Sequence, residues 1–218
     1  MTIDVNGITL HYEQTGAGAP LLLLHGNGED LHIFDPLAAR LAARFTVYAL
    51  DSRNHGESAR HGDCSYAAMA ADAAGFIAAL GLGAVNLVGF SDGGIIGLLL
   101  AMERPETLRR AALLGVNLSP EDFTDESLRF IRETYAETGD PLFKLMLEEP
   151  RIAPDDVRGV RTPILLLAAE DDIFRPESFA RLAAALPDAR LRVIPGHDHG
   201  SYVVGNDMLA PELLAFFA

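Results

Sequence analysis

The chain contains no tryptophan, one cysteine and one lysine among its 218 residues. Cys64 alone cannot close an intramolecular disulfide, and no zinc site can be assembled from cysteines. With Lys144 the only lysine, lysine-based chemistry is nearly excluded. The opening "MTIDVNGITL" lacks a basic stretch followed by an apolar core, so no secretory signal is expected and a cytoplasmic protein is the default. The longest apolar run falls far short of the roughly 20 residues that cross a bilayer, so no membrane partner is expected. Cations are scarce: 17 Lys and Arg stand against 31 Asp and Glu, a formal net charge of −14. Such a field repels phosphates and argues against nucleic acid or anionic membrane as a partner. A hydrophobic share of 49% fits a soluble globular chain with a full core.

The apolar pattern alternates between two periods. Residues 3–14, "IDVNGITLHYEQ", alternate apolar and polar around Asn6-Gly7, a hairpin signal. The run at 20–24 reads as a strand covered on both faces and 45–50 as the next buried strand, and 84–90, 109–116, 161–170 and 189–196 read as further strands. Helical stretches at 31–43, 66–80, 92–103, 176–186 and 207–217 separate or follow them. This alternation predicts an α/β fold: a mostly parallel, doubly wound sheet with helices on both faces, fed by right-handed crossovers. Residues 118–158 interrupt it with helical segments and no strand. They are expected to form a small helical cap over one sheet edge, inserted in a core made of 1–117 and 159–218.

Residues 89–93 read Gly-Phe-Ser-Asp-Gly, at a strand-to-helix junction. In an open parallel sheet, ligands bind beyond the C-terminal strand ends. A sharp turn there leaves its central residue, Ser91, strained and exposed. It admits only small neighbours such as Gly89 and Gly93. A serine hydroxyl needs a base to take its proton, and the base needs an orienting acid. Asp171 and Asp172 follow the strand at 161–170, and His197 and His199 follow the strand at 189–196. Two oxyanion donors are available in the N–H of Asp92, at a helix start, and of Asn27 in the glycine-rich "HGNG" turn.

These residues resemble the α/β-hydrolase superfamily, and within it the small esterase, lactonase and cofactor-free haloperoxidase-like branch. The resemblance rests on "LLLLHGNG" (21–28), "DSRNHGES" (51–58), "VGFSDGG" (88–94), "AAEDDIFRP" (168–176) and "IPGHDHGSY" (194–202), in the family's order. It implies Ser91 as nucleophile. Asp172 is implied as acid, because proline follows four positions later, with Asp171 as the fallback. His199 is implied as base through the Pro195-Gly196 register, with His197 as the fallback. Asn27 and Asp92 are implied as oxyanion donors. His25, Asp51, Arg53, His55 and Gly56 match loops that brace the family's site. Asn54 stands where glycine is frequent, and the acidic Asp92 where an apolar or amide residue is frequent.

The function this implies is cleavage of a small ester-type acyl substrate through an acyl-enzyme, with no metal and no organic cofactor. A lactonase, thioesterase or carbon–carbon bond hydrolase would use the same triad, and a receptor on the same scaffold would need none of it. Serine at the turn argues against dehalogenase and epoxide hydrolase chemistry, for which the family uses aspartate. A short cap implies a shallow pocket, and Phe123, Phe130, Phe143 and Met146 are candidates to line it.

Overall fold

The computed structural model describes residues 1–218. The hairpin forms as expected: β1 (Thr2–Val5) and β2 (Ile8–Gly16) pair antiparallel across a turn in which Asn6 and Gly7 both take positive φ. Six further strands follow: β3 (Ala19–Leu24), β4 (Phe45–Leu50), β5 (Val85–Phe90), β6 (Leu108–Leu114), β7 (Ile164–Asp171) and β8 (Ala189–Asp198). The sheet order is β1-β2-β4-β3-β5-β6-β7-β8, and every pair from β4 onward is parallel.

The leucine run of β3 shows how the sequence builds two cores. Leu22 and Leu24 point to one face of the sheet, and Leu21 and Leu23 to the other. The first face is covered by α2 (Tyr66–Ala79), α3 (Asp92–Glu103) and Leu182 and Leu186 at α6 (Pro176–Ala185). The second is covered by α1 (Asp35–Leu41) and α7 (Ala210–Phe216). Gly97 lets α3 lie close on the sheet, because a Cβ there would stand 2.7 Å from the Leu87 side chain.

Between β6 and β7 the chain leaves the sheet and forms α4 (Asp125–Thr138) and α5 (Pro141–Glu148), which pack on each other. Thr124 caps α4, accepting from the Ser127 N–H, and the helix starts only after it. The helix expected over 31–43 is broken in two. Leu31–Phe34 form a 3₁₀ turn capped by Asp30, and Pro36, which lacks an N–H, opens α1. β8 runs on to Asp198, so His197 lies in the strand rather than after it. No helix is long and apolar enough to cross a membrane.

Phe76 on α2 is fully buried against Tyr12, at 5.0 Å edge-on, and Tyr48, at 6.0 Å. Phe76→Ala is expected to cost about 3–5 kcal/mol of unfolding free energy, read as a lower urea midpoint with unchanged slope.

Candidate active site

β5 and α3 meet at Ser91, whose backbone takes φ 52° and ψ −112°. A non-glycine residue there is strained by about 1–3 kcal/mol and persists only if its surroundings hold it. Ser91 N–H donates to the Leu114 carbonyl at 2.8 Å, and Gly93 N–H donates to the His25 carbonyl at 3.0 Å. The two glycines are there for space. A Cβ on Gly89 would lie 2.1 Å from the Gly93 carbonyl oxygen, and one on Gly93 the same distance from that of Leu24.

The ends of β7 and β8 bring an acid and a histidine to this turn. Asp172 Oδ1 accepts from His199 Nδ1 at 2.7 Å, and His199 Nε2 stands 3.2 Å from Ser91 Oγ. The carboxylate can only accept, so Nδ1 carries the proton and the Nε2 lone pair faces the hydroxyl. The Asp172 side chain is 2% exposed and is also held by the N–H groups of Ala169 and Phe174. The His199 ring sits between Phe90 and the edge-on Phe174. It lies over Gly115, where φ is +57° and a Cβ would stand 2.6 Å from His199 Cε1. The fallback residues lie elsewhere: Asp171 is exposed at the strand end, and His197 bonds to Ser201.

The N–H groups of Asn27 and Asp92 make no hydrogen bond within the chain. Their side chains do. Asn27 Nδ2 donates to Asp92 Oδ2 at 3.0 Å and to the Leu142 carbonyl, on α5, at 3.3 Å. Tyr66 donates its hydroxyl to Asp92 Oδ1 at 2.7 Å. Asp92 is therefore more than a favourable charge at a helix start. It is buried, and burial pushes its carboxyl up. Burial likewise raises Glu29, which accepts from the Gly26 N–H beside Ser91.

The "DSRNHGES" loop braces the site from below. Burial alone would raise Asp51, but donors from Glu57 N–H, His11 and Leu31 N–H hold its carboxyl below the usual range. Gly56 leaves room for that carboxylate, which a Cβ would meet at 2.1 Å. Arg53 forms a two-pronged buried pair with Asp72, at 2.7 and 2.9 Å. His55 donates Nδ1–H to the Arg53 carbonyl, and its buried Nε2 has no partner.

Of the four side chains expected to line a pocket, Phe130, Phe143 and Met146 lie on a cavity of about 660 Å³ that reaches Asp172. Phe123 does not. It precedes α4 in an extended bridge to Phe174, ring centroids 4.7 Å apart, and is buried in a cluster with Ile131 of α4, Phe174 and Phe179. Gly115, Phe174, Tyr66 and Glu29 were not singled out in the sequence. Only Gly115, a glycine ending a strand at the ligand edge, carried a local signal. One surface trio, Glu13, His32 and Asp35, has spacing compatible with a metal, and none of its side chains is bonded to Ser91, His199 or Asp172.

Residues 19–145 match the family described as alpha/beta hydrolase fold. The chain belongs to that family. Among curated proteins it is 31% identical over 163 residues to a fluoroacetate dehalogenase of a Burkholderia species, covering 72% of this chain and 51% of the relative. It thus spans about half the length of that relative. It is 27% identical to a putative carbamate hydrolase of Azorhizobium caulinodans, covering 95% of this chain and 94% of the relative. Among solved structures, the enol-lactonase from Burkholderia xenovorans superposes with a TM-score of 0.83 at 21% identity, over 100% of this chain and 99% of that one. At that identity the likeness is one of fold.

His25 tests the bracing. Its Nδ1–H donates to the Gly26 carbonyl at 2.7 Å and its Nε2 accepts from the Ser52 N–H at 3.0 Å. Burial, aided by nearby His55, lowers its pKa from 6.5 to about 4. The unfolded chain then binds the proton more readily than the fold does. Stability is complete above pH 6.5 and falls as the pH drops, by about 3 kcal/mol at pH 4. Urea titrations across that range should show this loss in the wild type, and a shallower one in His25→Asn, which takes up no proton.

Proposed function

We propose that the chain is a serine hydrolase that cleaves small ester-type substrates through an acyl-enzyme. The observation that carries this reading is the continuous chain of bonds from Asp172 through His199 to Ser91, at 2.7 and 3.2 Å. Ser91 Oγ attacks the substrate carbonyl while His199 Nε2 takes its proton. Asp172 keeps the imidazole in the productive tautomer and stabilises its cationic form. The unpaired N–H groups of Asn27 and Asp92 receive the developing oxyanion. Donors of this kind are each worth on the order of 100-fold or more in turnover. His199 then protonates the leaving group, and water, activated by the same histidine, releases the acid.

Residues 118–158 act as a short cap in this reading, with α4 and α5 roofing the side of the site next to Asp172. Serine in the turn favours acyl transfer over dehalogenation, which needs a carboxylate nucleophile. Lactone, thioester and carbon–carbon substrates share the same first step. What distinguishes them is pocket shape rather than the triad.

Intact mass after treatment with a neutral fluorophosphonate tests the reading. One adduct per chain is expected on the wild type and none on Ser91→Ala. No adduct on folded wild type would overturn it in favour of a receptor without turnover. Gly115→Ala should remain folded yet label on the order of 100-fold more slowly, because the added methyl displaces the imidazole.

A further inference from the structure

We infer that the cavity beside Asp172 receives a positively charged, alkylammonium-type group of the substrate, an assignment that rests on the serine-hydrolase reading above. The cavity, about 660 Å³, is walled by Phe130, Phe143, Met146 and Ile173, and its rim carries Glu126 and Asp171. No lysine, arginine or histidine lines it. Phe130 and Phe143 meet edge-on at 6.3 Å, and Phe130 is 62% exposed, an uncommon exposure for so large an apolar ring. An aromatic face open to solvent beside carboxylates suits a cation with apolar substituents, which gains from ring quadrupole and charge together.

The surrounding charges favour the same guest. Glu126 and Asp171 form no ion pair. The cations on neighbouring segments are held by other acids: Arg175 by Asp125 at 2.8 Å, Lys144 by Glu148, Arg181 by Asp122 and Arg151 by Glu121. Arg129 and Arg132 of α4 neither pair nor line the cavity, and Arg132 lies on a separate one with Pro120 and Leu147. Glu29 borders a second cavity that also carries Arg60 and His61, so the shortage of positive charge belongs to the cavity at Asp172 alone, inside a chain of net charge −14. A cleft lined by one sign of charge concentrates ligands of the opposite sign.

Two isosteric substrate pairs test this. The first is acetylthiocholine and its analogue with tert-butyl in place of trimethylammonium. The second carries the same exchange in the acyl part of a nitrophenyl butyrate. In at least one pair the cationic ester should have a kcat/KM about tenfold higher at low salt. The ratio should fall with added salt and approach one in the double variant Glu126→Gln, Asp171→Asn. A ratio of one or less in both pairs, insensitive to salt, overturns the inference and leaves the hydrolase reading standing. If Ser91 labels with fluorophosphonate but no ester turns over, protection decides. Slower labelling in phenyltrimethylammonium but not in its uncharged tert-butyl isostere supports the inference, and equal labelling overturns it. No labelling at all removes the hydrolase reading, and this assignment with it.

Discussion

The site depends on the strained backbone of Ser91. A serine at φ 52° does not stay there unaided, and the rest of the molecule can be read as what keeps it in place. β6 offers the Leu114 carbonyl to its N–H, and β3, through His25, offers one to Gly93. Both carbonyls sit at the C-terminal ends of neighbouring parallel strands, so the turn is fixed by the sheet itself. Gly89, Gly93 and Gly97 follow at intervals of four. They let strand, turn and helix approach more closely than any side chain would allow.

From this fixed point the acid and the histidine need only arrive at the same edge. They do so because β7 and β8 run parallel to β5 and end at the same side. The histidine is positioned as much by hydrocarbon as by hydrogen bonds. Phe90 and Phe174 limit its tilt, and Gly115 leaves it a floor. The loop after β4 holds the chain on both sides of the Asn27 turn, Asp51 accepting from the Leu31 N–H and Ser52 N–H donating to His25.

Much of this was legible in the sequence because it is local. Buried parallel strands appear as short apolar runs, and a strained turn must be written in glycine. Helix ends were less legible. The stretch 31–43 has helical spacing, but Pro36 divides it. The residues after 120 look helical until Thr124 takes up the cap. Long-range contacts left little trace. Nothing adjacent to Asp92 says that Tyr66, 26 residues earlier, will donate to it. Nothing around Phe123 says that it will be covered by Phe174 while Phe130 stays open. Spacing gives a face of a helix, but not what that face meets.

The side chain of Asn27 has only two hydrogens to donate, and both are committed: one to the carboxylate of Asp92 and one to the carbonyl of Leu142. Through these two bonds one amide ties the turn after β3 to the start of α3 and to α5 at once, so the packing of α5 and the placement of the Asn27 turn are set by the same side chain.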